Sequence, residues 1–526
     1  MGCLCEGRNW MGNVWKGAAI LTAAALAAKL LSALYRVPYQ NMVGDIGFYI
    51  YQQVYPIYGI VVALSLTGYP VAVSKLVAER LAGQDEAGAA ASVRVALLVL
   101  SVLGVILFAS LYLGAGVIAS AMGDGRLTPL VRLLSFSFLL FPPIALLRGY
   151  FQGRHDMTPT AASQVGEQFV RVAAILGLSY GAVQRGADVY ACGMAAVAGT
   201  LIGMAAALFI LLFFLSRRRR LKTSGRTPPA WDRQVGRRLL TAGTVICLTN
   251  MALTLIPLVD SFLFVPLLQE AGARLDEVQR LKGVYDRGQP LIQLGTVVGT
   301  SFSLALVPLL SGARRQGAVF AYGALSIRLA VVIGLGASLG LICLIRPINA
   351  MLFENDYGSS VLAVLSSSVF FTTIALTASA LLQGMGREWT AAAGVALAVA
   401  GKAALMHWLA PRFGALGAAA ATTGAYALMA GFLCAFLPRE YRTAGRKYMY
   451  PTVKAAAMMA VVLHGYRWLM DSSSEGRLWA AAEALGGVAI GAVVYLACIV
   501  KGHVFSEQEL AAFPLANKFR LRLGGR

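Results

Sequence analysis

The chain has 526 residues, of which 58% are hydrophobic and only 13% are charged. Soluble globular proteins carry about 25% charged residues, so this composition excludes a water-soluble domain. The formal net charge is +21, but the basic residues gather in short segments between apolar runs. That distribution is typical of loops at a membrane surface and argues against a nucleic-acid partner.

Apolar runs of about 20 residues recur along nearly the whole chain, and each is long enough to cross a hydrocarbon core of about 30 Å as a helix. The runs lack the strict alternation of a membrane β-barrel. We therefore predict an all-α polytopic membrane protein with about 14 transmembrane helices. The first six spans are predicted at residues 14–35, 49–74, 93–121, 127–150, 160–180 and 189–215.

A second set of spans follows a basic segment. These six are predicted at residues 239–268, 284–310, 318–345, 359–382, 390–410 and 415–437, and two more, at 450–470 and 478–500, have no counterpart in the first set. The predicted plan is an N-terminal lobe (1–215), a basic cytoplasmic linker (216–238), a C-terminal lobe (239–437), helices 13 and 14 (438–501) and a basic cytoplasmic tail (502–526).

The positions of the positive charges predict the orientation, because Lys and Arg at span ends are retained on the cytoplasmic side. With the N-terminus inside, the inner loops carry most of these charges, including Arg148 and the run 217–220. The longest opposite loop, 269–287, mixes both signs. We expect a multi-pass protein of the cell membrane with both termini in the cytoplasm.

The two halves of the chain repeat each other in sequence. Gln152-Gly153 near the end of the fourth span matches Gln383-Gly384 near the end of the tenth. At the same offset Arg171 meets Lys402, and the glycine pairs are Gly186 with Gly417 and Gly193 with Gly424. With an even number of spans per half, the repeats are expected to be parallel, as in two-lobed transporters.

Two cations lie within the first span, where a charge costs about 2.5–3.5 kcal/mol and therefore usually faces a cavity or a partner. Lys29 and Arg36 are seven residues apart, two helical turns, so both project from one face. They can offer two positive charges to one anionic group. Alternatively, Arg36 lies close enough to the span end to reach the interface.

Further charges are predicted inside later spans. Glu167 and Arg171 are four residues apart, a spacing that favours a structural ion pair. Lys402 has no acid four residues away and is therefore a stronger candidate for a cavity cation. Asp260 follows Pro257, where a kinked helix can line a cavity, and it either carries a coupling cation or neutralises a nearby Arg. The mid-span charges lean positive, which favours an anionic cargo.

The seven cysteines are odd in number and most lie in apolar spans, so no disulfide framework is predicted. Cys3 and Cys5 lack the further ligands that a metal would need, and no metal or other cofactor is predicted. The first apolar run is too long for a cleaved signal peptide and is expected to stay as an anchor.

The first eighty residues contain a series of short motifs: KG (16–17), AKLLSALYRVP (28–38), VGD (43–45), YQ (51–52), YPIY (55–58) and GYPVAVSKLV (68–77). In these motifs the chain resembles the stage V sporulation protein B-like polysaccharide transporters. Those transporters belong to the multidrug/oligosaccharidyl-lipid/polysaccharide (MOP) exporter superfamily, which includes the MurJ-type lipid II flippases.

The resemblance implies two lobes of six helices around a cavity that opens alternately to each side. It implies an undecaprenyl-diphosphate-linked saccharide as cargo, including lipid II, and cell-wall synthesis enzymes as partners, in growth or in sporulation. Cavity cations of the MurJ-type pattern correspond to Lys29, Arg36 and the pair Asp286-Arg287. The cation of the MurJ-type second helix is missing, since the stretch 56–62 has none.

Two other classes of function are weighed against a flippase. A cation-coupled multidrug exporter of the same superfamily is expected to place an acid in the first lobe's cavity, where this chain has Lys29 and Arg36. A membrane-embedded transferase needs several acids, often with His, at one membrane face. Only His155-Asp156 suggests such a group, so we do not predict an enzyme.

Overall fold

The computed structural model describes residues 21, 23–218, 233–297, 316–470 and 476–505. Across these ranges the regular structure is helical and contains no strand, which confirms the all-α class. Nine helical stretches in the same ranges are long and apolar enough to cross a membrane. Two of them, Ala23–Ala82 with 60 residues and Glu388–Ala435 with 48, are each long enough for two crossings. The number of 14 stays a prediction.

The first half begins with a helix that changes direction twice. Its helices are α1 (23–34), α2 (Arg36–Ala63), α3 (Tyr69–Ala82), α4 (Glu86–Leu113), α5 (Ala115–Ala121), α6 (Thr128–Ser135), α7 (Ser137–Gly153), α8 (Thr158–Gln184) and α9 (Val189–Arg218). α2 bends at Gly44, whose φ of 70° lies in the left-handed region that favours glycine. A π-helical turn, Leu64–Gly68, joins α2 to α3.

The second half is built from longer pieces. Its helices are α10 (Arg233–Asn250), α11 (Ala252–Glu270), α12 (Leu275–Asp286), α13 (288–297), α14 (Gln316–Phe353), α15 (Ser359–Gly384), α16 (Glu388–Ala435), α17 (Arg439–Lys447), α18 (Met449–Met470) and α19 (Arg477–Lys501). α18 and α19 pack beside α14, where the Tyr495 hydroxyl donates to the Val332 carbonyl at 2.6 Å. The two final helices therefore lie beside the second half, as expected.

Two predicted elements differ from the structure. The span 239–268 is two helices that meet at Met251, whereas we expected a kink at Pro257, which stays inside α11. The predicted loop 269–287 is largely helix α12, because its charged residues are interleaved with apolar ones at helical spacing. The predicted boundary between the eleventh and twelfth spans agrees with the structure, because α16 is broken at Gly414, whose φ of 59° is not helical.

The repeat is visible in where helices end. α7 ends at Gly153 and α15 ends at Gly384, which agrees with the predicted match. Further along, Gly186 between α8 and α9 has a φ of 67°, but the corresponding left-handed glycine of the second half is Gly414 rather than Gly417. The two halves therefore drift out of the gapless register by three residues after Lys402.

The two halves contact each other where α10 packs on α3 and α4, with the Tyr69 and Thr244 hydroxyls 3.2 Å apart, and again around α12. Gln279 of α12 donates to Asp124 at 3.0 Å and to Tyr190 at 3.1 Å. Tyr190 lies at the start of α9, whereas the basic segment of the sequence follows the other end of that helix. Nearby, Gln53 of α2 donates to the Ser261 carbonyl of α11 at 2.6 Å. We call this region around α12 the closed end of the bundle.

Candidate functional site

The two basic residues of the first span differ in environment. Tyr35, which links α1 to α2, has helical φ and ψ, so Lys29 and Arg36 lie on one face as predicted. Arg36 is 4% exposed, and its guanidinium lies 4.5 Å from the centre of the Tyr55 ring. The Lys29 side chain, in contrast, is exposed.

Arg171 of α8 comes to the same place from the opposite side. It is 1% exposed and hydrogen-bonds to Gln168 at 2.7 Å and to Ser32 of α1 at 3.4 Å. Its guanidinium lies 5.0 Å from the Tyr58 ring centre and 5.8 Å from that of Tyr35. Aromatic faces stabilise a cation without neutralising it. The guanidinium of Arg171, which lies beside α1, therefore remains an uncompensated positive charge among the described residues.

Glu167 has a different partner from the one predicted. Its carboxylate pairs with Arg148 of α7, Oε2 to Nη2 at 2.8 Å, and accepts from the Tyr58 hydroxyl at 3.0 Å. Arg148 also donates to Ser163 and to the Ser65 carbonyl in the π-helical turn. The expected Glu167–Arg171 pair is therefore wrong, because Arg148 is buried inside α7 rather than in a cytoplasmic loop.

These residues form a group with excess positive charge, which we call the first-half basic cluster: Lys29, Arg36, Arg148, Glu167 and Arg171. The cluster contains four basic side chains and one carboxylate, which leaves a formal surplus of three positive charges. In addition, Nε of Arg36 and both Nε and Nη1 of Arg171 are buried without a hydrogen-bond partner. Unfilled buried donors are rare because each costs about 1–3 kcal/mol.

The second half holds a neutral counterpart. Lys402 of α16 is fully buried, and its Nζ lies 2.7 Å from Oδ1 of Asp260 on α11. We expected Lys402 to be a cavity cation because no acid lies four residues away, but another helix supplies the acid. Of the two roles left open for Asp260, the structure shows neutralisation, although of Lys402 rather than of the Arg that we expected.

Asp286 and Arg287 end α12, and neither is unpaired. Asp286 Oδ1 lies 2.5 Å from Nζ of Lys282 one turn earlier, and both are buried. Asp286 also has an electrostatic interaction with Arg36, so this pair and the first-half basic cluster face one interior. Arg287 pairs with Asp45 of α2 at 2.6 Å. The expectation that Arg287 is a cavity cation is therefore not met in this conformation, where it ties the halves together.

Several residues of the site were missed from the sequence. Arg148 was assigned to a loop, and Lys282 was read as one charge of a mixed outer loop. The spacing Lys282-to-Asp286 was a usable signal, since it is an i,i+4 pair. In the described ranges no three His, Cys, Asp or Glu residues meet as a metal site, while Cys3 and Cys5 lie outside them, as do most of the predicted linker and tail.

Comparison with known proteins agrees with this architecture. A family model described as "Polysaccharide biosynthesis protein" matches residues 14–313. The uncharacterized membrane protein YabM of Bacillus subtilis is 41% identical, over 97% of this chain and 96% of its own length. The lipid II flippase MurJ of Bacillus subtilis is 25% identical, over 92% of this chain and 94% of its own length.

A solved structure shares the fold. The structure of the lipid II flippase MurJ in an inward closed conformation aligns with a TM-score of 0.65, covering 91% of this chain and 98% of the other. The sequence identity of that match is 13%, so it shows the helix arrangement alone. It supports the two-lobed fold that the sequence resemblance implied.

Proposed function

Because the chain belongs to the polysaccharide biosynthesis protein family of membrane transporters, we propose that it moves a lipid-linked saccharide across the cell membrane. The cargo we propose is an undecaprenyl-diphosphate-linked saccharide, with lipid II as one candidate. The site between the two halves would open to each side in turn. A relative of nearly full length is a lipid II flippase rather than an enzyme.

The observation that carries this proposal is the surplus of three positive charges in the first-half basic cluster. A diphosphate is a multiply charged acceptor, and it suits arginine because a guanidinium presents several donors in a fixed fork. The unfilled donors of Arg36 and Arg171 would be satisfied by phosphate oxygens. Lys29, accessible on the same helix face, would add a point charge.

Arg171 also accounts for a departure from the MurJ-type pattern. The second helix has no cation in residues 56–62, but Tyr58 of that stretch lies against the guanidinium of Arg171. A cation from α8 thus reaches the surface of α2. Diphosphate contact on this side of the cavity therefore does not require a basic residue on the second helix itself.

We further propose the orientation and plan predicted from the basic loops, with both termini in the cytoplasm and lobes at 1–215 and 239–437. The closed end then faces outward, and we propose that the cavity between the lobes opens toward the cytoplasm. Lipid-linked precursors would enter from that side, and the enzymes that assemble them are expected partners. The polyprenyl tail can stay in the bilayer while only the headgroup crosses.

The proposal is tested with the purified full chain in liposomes that contain lipid II with a labelled headgroup. The double variant Arg36→Ala/Arg171→Ala should lower the transport rate at least about tenfold, since each charged hydrogen bond is worth about 1.5–3 kcal/mol. Arg94→Ala is the matched control, because Arg94 is an exposed arginine in the same half. Its transport rate should equal that of the unaltered chain.

Two outcomes would count against the proposal. If the double variant and the unaltered chain transport lipid II at the same rate, the first-half basic cluster does not bind the cargo. Transport of a cationic dye that depends on Arg36 and Arg171, with no movement of lipid II or of another undecaprenyl-diphosphate-linked sugar, would favour the multidrug exporter. An undecaprenyl monophosphate-linked sugar serves as a third substrate, which tests whether the second phosphate is needed.

A further inference from the structure

The ammonium group of Lys402 is enclosed by oxygen atoms from three helices. Nζ donates to the Ala418 carbonyl at 3.2 Å, to the Tyr285 hydroxyl at 3.3 Å and to the Thr422 hydroxyl. Asp260 Oδ1 lies 2.7 Å away. We call these four oxygen-bearing residues, Asp260, Tyr285, Ala418 and Thr422, the Lys402 cage. Lys402 itself is 0% exposed.

The contact with Asp260 is a close ion pair, with Oδ1 2.7 Å from Nζ. The other carboxylate oxygen, Oδ2, accepts from the Tyr285 hydroxyl at 2.9 Å. Four oxygens therefore surround one centre of positive charge.

The donor set suits a small hard cation of single charge. A carboxylate, a backbone carbonyl and two hydroxyls are oxygen ligands of the kind that hold alkali ions where transmembrane helices are broken. Ala418 lies one turn beyond the bend of α16 at Gly414. The cage contributes one negative charge, which balances one positive charge and leaves a divalent ion uncompensated.

We propose that the Lys402 cage is a site for a monovalent alkali cation that this chain fills with its own amine. The tethered ammonium replaces a free ion, so the second half needs no Na⁺ at Asp260 to be neutral. Removal of the amine, with its space left open, should create a Na⁺ site. This inference concerns the second half and does not depend on which cargo the first-half basic cluster binds.

The experiment measures the unfolding temperature, Tm, of the purified full chain in NaCl and in choline chloride at equal ionic strength. The unaltered chain should show the same Tm in both salts. Lys402→Ala should be destabilised in choline and should gain at least about 2 °C in NaCl, because an ion that binds only the folded state raises Tm. KCl and LiCl arms rank the ions by size.

The matched controls separate a bound ion from a general salt effect. Lys402→Met removes the charge but fills the space, so it should show no Na⁺ response. Lys402→Ala/Asp260→Asn keeps the space but removes the carboxylate, and it should also show none. Lys402→Ser is a second small variant, purified in NaCl throughout, in case Lys402→Ala alone does not fold.

Three results would overturn the inference. One is a monodisperse Lys402→Ala protein whose Tm is the same in NaCl and choline. Another is a Na⁺-dependent Tm of the unaltered chain that Asp260→Asn abolishes, since a free ion would then already bind beside Lys402. The third is failure of both small variants to fold in NaCl, because the proposal requires Na⁺ to replace the lost charge.

Discussion

Arg287 of the second half donates to Asp45 of the first half, with Nη2 at 2.6 Å and Nε at 3.1 Å from Oδ1. Arg287 is fully buried, and its Nη1 is held by Asn349 at 3.3 Å and by Asn355 at 2.8 Å. Gln40 donates to the same oxygen of Asp45 at 2.9 Å. This contact between the halves, in which Arg287 is fully buried and Asp45 is 25% exposed, follows the bend of α2 at Gly44 and helps to hold the closed end.

Asp45→Ala should open the closed end. Loss of one partner of a buried charge pair between surfaces costs about 2–5 kcal/mol, so the open population should rise more than about tenfold. Spin labels at Gly125→Cys and Ala271→Cys, exposed positions on opposite halves at this end, report the separation by electron–electron resonance. The distribution should shift to longer distances in a background without native cysteines.

The same labels give the controls for Asp45. The swap Asp45→Arg/Arg287→Asp should restore part of the short-distance population. Arg126→Ala removes an ion pair with Asp188 at the same end, but both side chains are more than half exposed, and such pairs contribute about 0–1 kcal/mol. A wild-type distance distribution in Asp45→Ala would show that this contact does not hold the halves together.

Gly283→Ala should open the same end without any change of charge. A Cβ at Gly283 would collide with the backbone carbonyl of Asp45, which cannot move as a flexible side chain does. The long-distance population of the spin labels should therefore increase. Gly116→Ala is the matched control because a Cβ there meets open space; an equal effect of both substitutions would rule out the steric explanation.

Arg148→Ala should destabilise the first half strongly. It leaves the Glu167 carboxylate buried without its ion-pair partner, a change that costs about 3–5 kcal/mol, and it frees the Ser65 carbonyl of the π-helical turn. The expected result is a clear fall in Tm. Arg148→Met/Glu167→Gln removes both charges and should recover most of that loss. If Tm does not recover in the double variant, Arg148 stabilises the first half through its contacts with Ser65 and Ser163 rather than through its ion pair.

Hydropathy was sufficient to predict the class of fold, because a helix in lipid must satisfy its own backbone and so shows as a long apolar run. It also separated the helices at Gly44 and Gly414, since both left-handed glycines lie between predicted spans. It was insufficient for breaks within a run. The break at Met251 was placed at Pro257, a residue that the structure accommodates inside α11.

The candidate charges were found from the sequence, but their partners were not. Lys29, Arg36, Arg171 and Lys402 stand out because charges are rare in spans. Pairing in a folded bundle is set by which helices are neighbours, and Asp260 lies 142 positions before Lys402. Only the pair Lys282–Asp286 has the local spacing that a single sequence can reveal.

The asymmetry between Arg171 and Lys402 yields the last prediction. They match in the sequence repeat, yet Lys402 has Asp260 beside it, and in the described ranges Arg171 makes no ion pair and has two unfilled nitrogen atoms. Arg171→Met should therefore leave Tm unchanged or raise it, because no buried carboxylate is left unpaired and two unfilled donors are removed. Lys402→Met, the same chemical change, should lower Tm because it leaves Asp260 uncompensated.

Addition of undecaprenyl diphosphate to the detergent-purified chain separates binding from stability. The ligand should raise Tm of the unaltered chain and of Lys402→Met, because both keep the first-half basic cluster, and should have little effect on Arg171→Met. If Arg171 lowers the stability of the protein without ligand, we expect that it is kept because it binds a ligand. Equal losses of Tm in both variants, with ligand stabilisation intact, would make Arg171 a packing residue and remove it from the substrate site.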